Sequence, residues 1–235
     1  MMIENKTNSA IESFDQTFEK NNLIDTFSQV GEVAIDTVIN NELLKDIPIL
    51  GLLFSGYKTI VNIRDYRLTQ KVIKFFYNLQ NTTPKQRQDF SKKYLDVNKE
   101  KTAAALLDIL EKLNNVNSVD LITNLMKAVI SEDISITQFN RLVIAIQRTA
   151  YTDLVQLEKY INEYDEDGLS DALLSTGLLY QSTYSGGNAE IGEGCNKFKI
   201  STNGYLLLKY GFNKKNIIES PRITDISSSI KWTEI

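Results

Sequence analysis

The sequence predicts a mainly α protein, an antiparallel multi-helix bundle followed by a small C-terminal α+β module that contains a β-hairpin. Three observations carry this. Apolar residues recur at helical spacing over most of the chain, as one buried helical face requires. Three prolines and eleven glycines in 235 residues are too few to punctuate a fold of many short strands. After about Asp165 the spacing shortens, and Phe198 and Ile200 alternate with Lys197 and Lys199 as in a half-buried strand.

Residues 1–20 are polar and read as an N-terminal arm, or as a weak first helix. The bundle is assigned to 21–150 and the α+β module with its tail to 151–235. From Leu23 the apolar residues Phe27, Val30, Val33, Ala34, Val38 and Leu43 fit one helical face. Ile47 to Leu79 reads as one long helix bent at Gly51 or Gly56, with Pro48 in its first turn. Thr83 is placed to cap the next helix, with Pro84 at its first position. Leu106, Ile109, Leu110 and Leu113 form a face of the following helix, and Ser118 is the expected cap of the one carrying Leu121, Ile122, Leu125 and Val129. Ser135-Ile136-Thr137-Gln138 is a capping box before Phe139, Leu142 and Ile146, and Thr152 is the expected cap of a helix carrying Leu154, Leu157 and Ile161. Short polar connections between such helices imply antiparallel neighbours. In the last part, a helix from Leu169 to Ser175 leads to a strand through Tyr184, a glycine-rich turn from Ser185 to Gly194, the second strand, and a helix opened by Thr202-Asn203-Gly204.

Composition removes several chemistries. The chain contains no histidine and a single cysteine, Cys195. Serine–histidine and cysteine–histidine nucleophiles are therefore excluded, as are conventional zinc sites. No disulfide can form within the chain. No basic-then-apolar leader opens it, so a cytoplasmic location is expected. No catalytic residue, metal or cofactor is assigned.

Two stretches approach known ligand loops and miss. Gly51 to Thr59 resembles a phosphate-binding P-loop, but Tyr57 separates the second glycine from Lys58 and no strand precedes it. Glu163 to Gly168 resembles half an EF-hand loop. Glu163 stands at its first position, however, and Leu174 where the bidentate glutamate belongs.

The charge pattern is more informative. Arg64, Arg67, Lys71 and Lys74 fall on one helical face beside the apolar stripe of Leu68, Val72, Phe75 and Leu79. From Tyr57 to Lys101 there are eleven cations and four anions, a net +7; from Tyr151 to Asn196 there are nine anions and one lysine, a net −8. The total of −4 conceals this segregation. A solvated face or attraction between the two regions explains it, and so does a surface for an acidic protein, nucleic acid or anionic lipid. The four residues of the stripe are the candidate partner-binding set. The run Ile47 to Ile63, interrupted by Pro48, Lys58 and Asn62, is too short and too polar to span a bilayer but leaves peripheral membrane contact open.

The order helix, Thr176-Gly177-Leu178-Leu179, hairpin, Ser201-Thr202-Asn203-Gly204-Tyr205 resembles the end of a winged-helix domain, over roughly Tyr151 to Phe212. That resemblance implies DNA binding, with Lys197, Lys199, Lys214 and Lys215 as candidate phosphate contacts. The helix before Gly177 carries no basic residue, and direct base readout needs Arg, Lys, Asn or Gln there. Asp46 to Gly51, Ile63-Arg64-Asp65 with Lys71 and Phe75-Phe76, and Ile134-Ser135-Ile136 before Phe139 resemble uncharacterised helical proteins of bacterial genomes and mobile elements. That resemblance implies a setting of phage–host conflict and brings no activity. The expectation is therefore a non-enzymatic protein-interaction protein, adaptor or inhibitor-like, with an unidentified protein partner or a second copy of itself. The alternatives are a nucleic-acid-binding regulator and a peripheral membrane protein.

Overall fold

The computed structural model describes residues 2–19, 47–56, 63–98, 101–162, 164–165, 168–182, 197–215 and 217, with side chains for all of these but 2–7, 53–56, 63–65 and 164–165. The helices expected between Leu23 and Leu43, the turn from Ser185 to Gly194 and the tail beyond Ile217 lie outside the described residues. The chain is mainly helical, with a small antiparallel sheet.

The polar N-terminal stretch forms helix α1 (Met2–Glu19), the second of its two expected readings. Ile11, Phe14 and Phe18 are spaced to share one face. Phe14 and Phe18 are buried, and Thr17 between them is fully buried. Phe14 meets Phe75 and Phe76 at ring-centroid distances of 5.8 and 4.9 Å, so α1 docks on α3 (Ile63–Leu79) through an aromatic cluster. It also packs against α2 (Pro48–Gly56), where the Thr17 hydroxyl accepts the Ile49 amide at 3.2 Å. The long helix expected from Ile47 to Leu79 is described as these two pieces, α2 and α3, with 57–62 outside the described residues.

Pro84 opens α4 (Pro84–Asn98) as expected. Thr83 Oγ1 accepts the Gln86 amide at 3.2 Å, and Gln86 Oε1 accepts the Thr83 amide at 2.8 Å, a reciprocal cap. Arg87, one turn in, is fully buried. Its Nε donates to Phe18 O at 2.6 Å and its Nη1 to Thr82 O at 2.5 Å and Thr82 Oγ1 at 3.1 Å. It thus satisfies a carbonyl at the end of α1 and the carbonyl and hydroxyl of Thr82 in the turn after α3. Burial pushes its pKa down to about 10.

After α5 (Thr102–Lys112), helix α6 (Ser118–Ile130) forms the axis of the core. Nine of its thirteen residues are buried, and it packs against α3, α4, α7 (Ile136–Arg148) and the last helical turn of the described chain. A helix apolar nearly all round must be enclosed on all sides. The expected Ser118 cap is displaced: Asn117 is the N-cap, without a side-chain capping bond, and Ser118 is buried inside the helix. Asn115 Oδ1 instead accepts the Asn117 amide at 2.8 Å. Helix α6 ends with Glu132 at φ 64°, where Glu132 N donates to Val129 O and Asp133 N to Ala128 O. The capping box at Ser135 forms in full.

The Thr152 cap does not form. Helix α8 (Tyr151–Leu154) follows an extended Ala150, and the chain tightens into a 3₁₀ turn at Leu157–Tyr160. Leu154, Leu157 and Tyr160 are all fully buried, and the 3₁₀ turn brings Leu157 and Tyr160, three residues apart, onto one side. Strand β1 (Tyr164–Asp165), helix α9 (Gly168–Ser175), β2 (Leu179–Ser182) and β3 (Lys197–Ile200) follow. The sheet order is β1-β3-β2, with Tyr164 opposite Phe198 and Leu179 opposite Ile200. Phe198 and Ile200 face inward, as their alternation predicts. Gly177, at φ 73°, ends α9; its amide donates to Leu174 O and that of Leu178 to Leu173 O, a closure that favours a residue without Cβ. Ser201 caps α10 (Thr202–Leu206), which continues as a π-helical turn, Leu207–Gly211, lying against α6. Asn124 Nδ2 of α6 donates to Gly211 O at 2.9 Å. One buried apolar cluster runs from Phe14 to Leu208.

Candidate functional site: a basic cleft beside α3

The stripe on α3 divides into three environments. The Arg64 side chain lies outside the described ones. Arg67 is exposed and has no hydrogen bond or ion pair among the described residues. Lys71 is only 7% exposed. Its Nζ donates to Glu111 O at 3.1 Å and to Leu113 O at 2.5 Å. Those carbonyls end α5, where an ammonium satisfies orphan acceptors and meets the negative end of the helix dipole. Burial lowers the Lys71 pKa, the Glu111 carboxylate opposes that, and Arg67 adds to it. Lys74 is drawn to α6, with Nζ 2.8 Å from Asp120 Oδ2 and 3.2 Å from Asn117 Oδ1.

Asp120 is the counter-charge of this region. It sits in the first turn of α6, where an anion is favoured, and also accepts Asn78 Nδ2 at 2.8 Å. Its field opposes the burial-driven lowering of the Lys127 pKa and adds to the burial-driven raising of the Tyr151 pKa. The four residues therefore do not present one continuous open face: Lys71 and Lys74 hold α3 to the α5–α6 corner, and Arg67 stands over it.

Between α3 and that corner lies a cleft of about 500 Å³, lined by Arg67, Leu68, Gln70, Lys71, Glu111, Leu113, Asn114, Asn115 and Val116. Lys71 has three N–H donors and uses two on carbonyls. The Gln70 side chain has no hydrogen bond among the described residues. Asn114 donates to Gln147 O at 3.3 Å, which leaves its carbonyl; Asn115 accepts from Asn117 N, which leaves its NH₂. The three amides escaped the sequence reading, which followed charge. The polar run Asn114-Asn115-Val116-Asn117 between two apolar helices was the available signal.

A second groove, of about 480 Å³, lies between α4 and the α6–α7 turn. Lys93 and Glu132 bridge it at 2.9 Å, and Val97, 54% exposed, lies along it.

The lysines of the C-terminal module lie in different settings. Lys197 and Lys199 are half-buried on β3, Lys214 pairs with Glu158 at 2.7 Å, and Lys215 is exposed. Asp171 is exposed on α9. Asp165, in the EF-hand-like stretch, lies in β1 opposite Lys197; Glu163, Glu166 and Asp167 lie outside the described residues. Gly51 and Gly56 belong to helix α2, not to a loop around a phosphate. Ile47, Ile49 and Leu50 of the apolar run are fully buried. Among the described residues no group of three or more Cys, Asp or Glu could hold a metal, and no helix is long and apolar enough to cross a membrane. Comparison with protein-family models, curated proteins and solved structures gives no match.

Proposed function

We propose that this chain is a non-enzymatic interaction protein, adaptor- or inhibitor-like, acting in the cytoplasm and receiving a protein partner at the cleft beside α3. One observation carries the reading: Arg67 stands exposed and unpaired among the described residues at the rim of a cleft of about 500 Å³. An exposed, unpaired Arg at a concave site is the kind of anchor that interfaces use. Among the described side chains of the stripe, Lys71 and Lys74 are engaged in holding helices, which leaves Arg67 as the open cation. Nucleic acid recognition calls instead for a row of cations along a backbone.

The test is capture from lysate on immobilised protein, with and without nuclease, comparing wild type with Arg67→Glu. The expected result is a protein retained after nuclease by wild type and lost by the variant. Retention by both overturns the assignment of the cleft.

The second reading is nucleic-acid binding through the winged-helix-like end, favoured by the half-exposed Lys197 and Lys199 on one hairpin strand. Exposed Asp171 on α9 and the pairing of Lys214 with Glu158 count against it. Capture that disappears on nuclease treatment selects this reading over the first.

A further inference from the structure

We propose that the cleft beside α3 is a carboxylate site that takes an acidic side chain of an extended peptide segment. This rests on the reading of the cleft as the partner-binding site and adds the chemistry of what enters it.

Two donors define the anion position. Lys71 is buried in the wall of the cleft, 7% exposed, with two N–H groups fixed on Glu111 O and Leu113 O. Those bonds hold the ammonium in place and leave its third N–H without a protein acceptor among the described residues. Arg67, one turn earlier on α3, lines the same cleft and has all five guanidinium N–H groups unused among the described residues. A buried ammonium with an open donor beside a free guanidinium makes a preorganised oxyanion site. Guanidinium and carboxylate match as a planar fork.

The surroundings select the carrier. Among the described side chains, Glu111 lines the cleft and Asp120 pairs with Lys74 next to it, so the positive charge there matches about one anionic group. A polyphosphate backbone would bring further charges against those carboxylates. Gln70 and the free halves of Asn114 and Asn115 supply both donors and acceptors, which suits the N–H and C=O groups of an extended peptide. The apolar part of the wall, Leu68, Leu113 and Val116, accommodates the methylenes of a glutamate.

The probe is a short fluorescent glutamate-rich peptide, titrated by anisotropy against the full chain. Its glutamine counterpart, inorganic phosphate and a single-stranded oligonucleotide are titrated alongside. The glutamate peptide is expected to bind and the glutamine peptide to bind at least about tenfold more weakly, with the affinity falling as salt rises. Arg67→Gln, on an exposed side chain, is expected to keep the wild-type circular dichroism and melting temperature and to weaken the peptide at least about tenfold. Gln70→Ala provides a second, charge-neutral variant expected to weaken the peptide and to leave phosphate unaffected.

Equal binding of the two peptides, or equal binding by wild type and Arg67→Gln, overturns the proposal. Phosphate binding without peptide binding overturns it in favour of a small-oxyanion site, and an oligonucleotide that outcompetes the peptide overturns it in favour of nucleic acid. If a lysate partner is captured through Arg67 but the glutamate peptide does not bind, the partner-site reading stands and the carboxylate assignment falls.

Discussion

Replacing Arg87 tests the most unusual interior feature of this protein, a fully buried guanidinium joining α1 to the turn between α3 and α4. Arg87→Ala removes a charge-assisted bond to the buried Phe18 carbonyl and two partly buried bonds to Thr82. Leaving a buried acceptor unsatisfied costs about 1–3 kcal/mol, and the two remaining bonds contribute roughly 1 kcal/mol each. The aliphatic stem adds about 1 kcal/mol of lost packing. The sum is about 4–6 kcal/mol, a large part of the roughly 5–15 kcal/mol that holds a domain together. Arg87→Met keeps most of the stem and removes the cation whose burial lowers its pKa to about 10. It should cost less, about 2–3 kcal/mol. Urea denaturation followed by circular dichroism measures both, with the slope checked for constancy. The intact variant proteins should also be cleaved faster within α1 under limited proteolysis. A loss below about 1 kcal/mol for Arg87→Ala, or a methionine variant less stable than the alanine one, would refute this account of the site.

Three further outcomes follow from the structure. A Cβ on Gly204 would run into the Leu178 carbonyl and come within 2.6 Å of Ile200 Cγ1, so Gly204→Ala should destabilise by about 1–3 kcal/mol, measured as a lower denaturation midpoint with unchanged slope. Ser135→Ala removes the capping bond to Gln138 N at 3.2 Å and should cost about 1 kcal/mol; a neutral result would show that the cap contributes nothing. The hydrogen bond and the charge of Lys93 hold the Glu132 carboxyl below its usual 4.5, so the stabilisation it provides is present above pH 4.5 and disappears as pH falls through the lower folded value. Lys93→Met should return the Glu132 titration, followed by side-chain NMR, to the ordinary glutamate range.

The helical class, the start of α4 at Pro84, the Ser135 capping box and the inward alternation of Phe198 and Ile200 could all be read from the sequence. Each is set by neighbours a few residues away: a hydroxyl reaching an amide of its own first turn, a ring that fixes its own φ, a period that sorts side chains onto faces. The caps proposed at Ser118 and Thr152 failed for the complementary reason. Ser118 is drawn into the core with α6, and the chain beyond Leu154 tightens because Leu157 and Tyr160 must both be buried, so tertiary burial overrides local preference. Residues 1–20 admit either an arm or a weak first helix from sequence, because their mean polarity hides Phe14 and Phe18; the helix is held by partners on α3 about sixty residues away. The basic stripe shows the same limit. Its spacing was visible, yet whether a cation faces solvent, a helix end or a carboxylate depends on what packs beside it. Only the packing of α3 on the α5–α6 corner spent Lys71 on two carbonyls, paired Lys74 with Asp120 and left Arg67 open. Sequence spacing fixed which residues share a face; the long-range contacts that place an acceptor beside a donor decided what each one does.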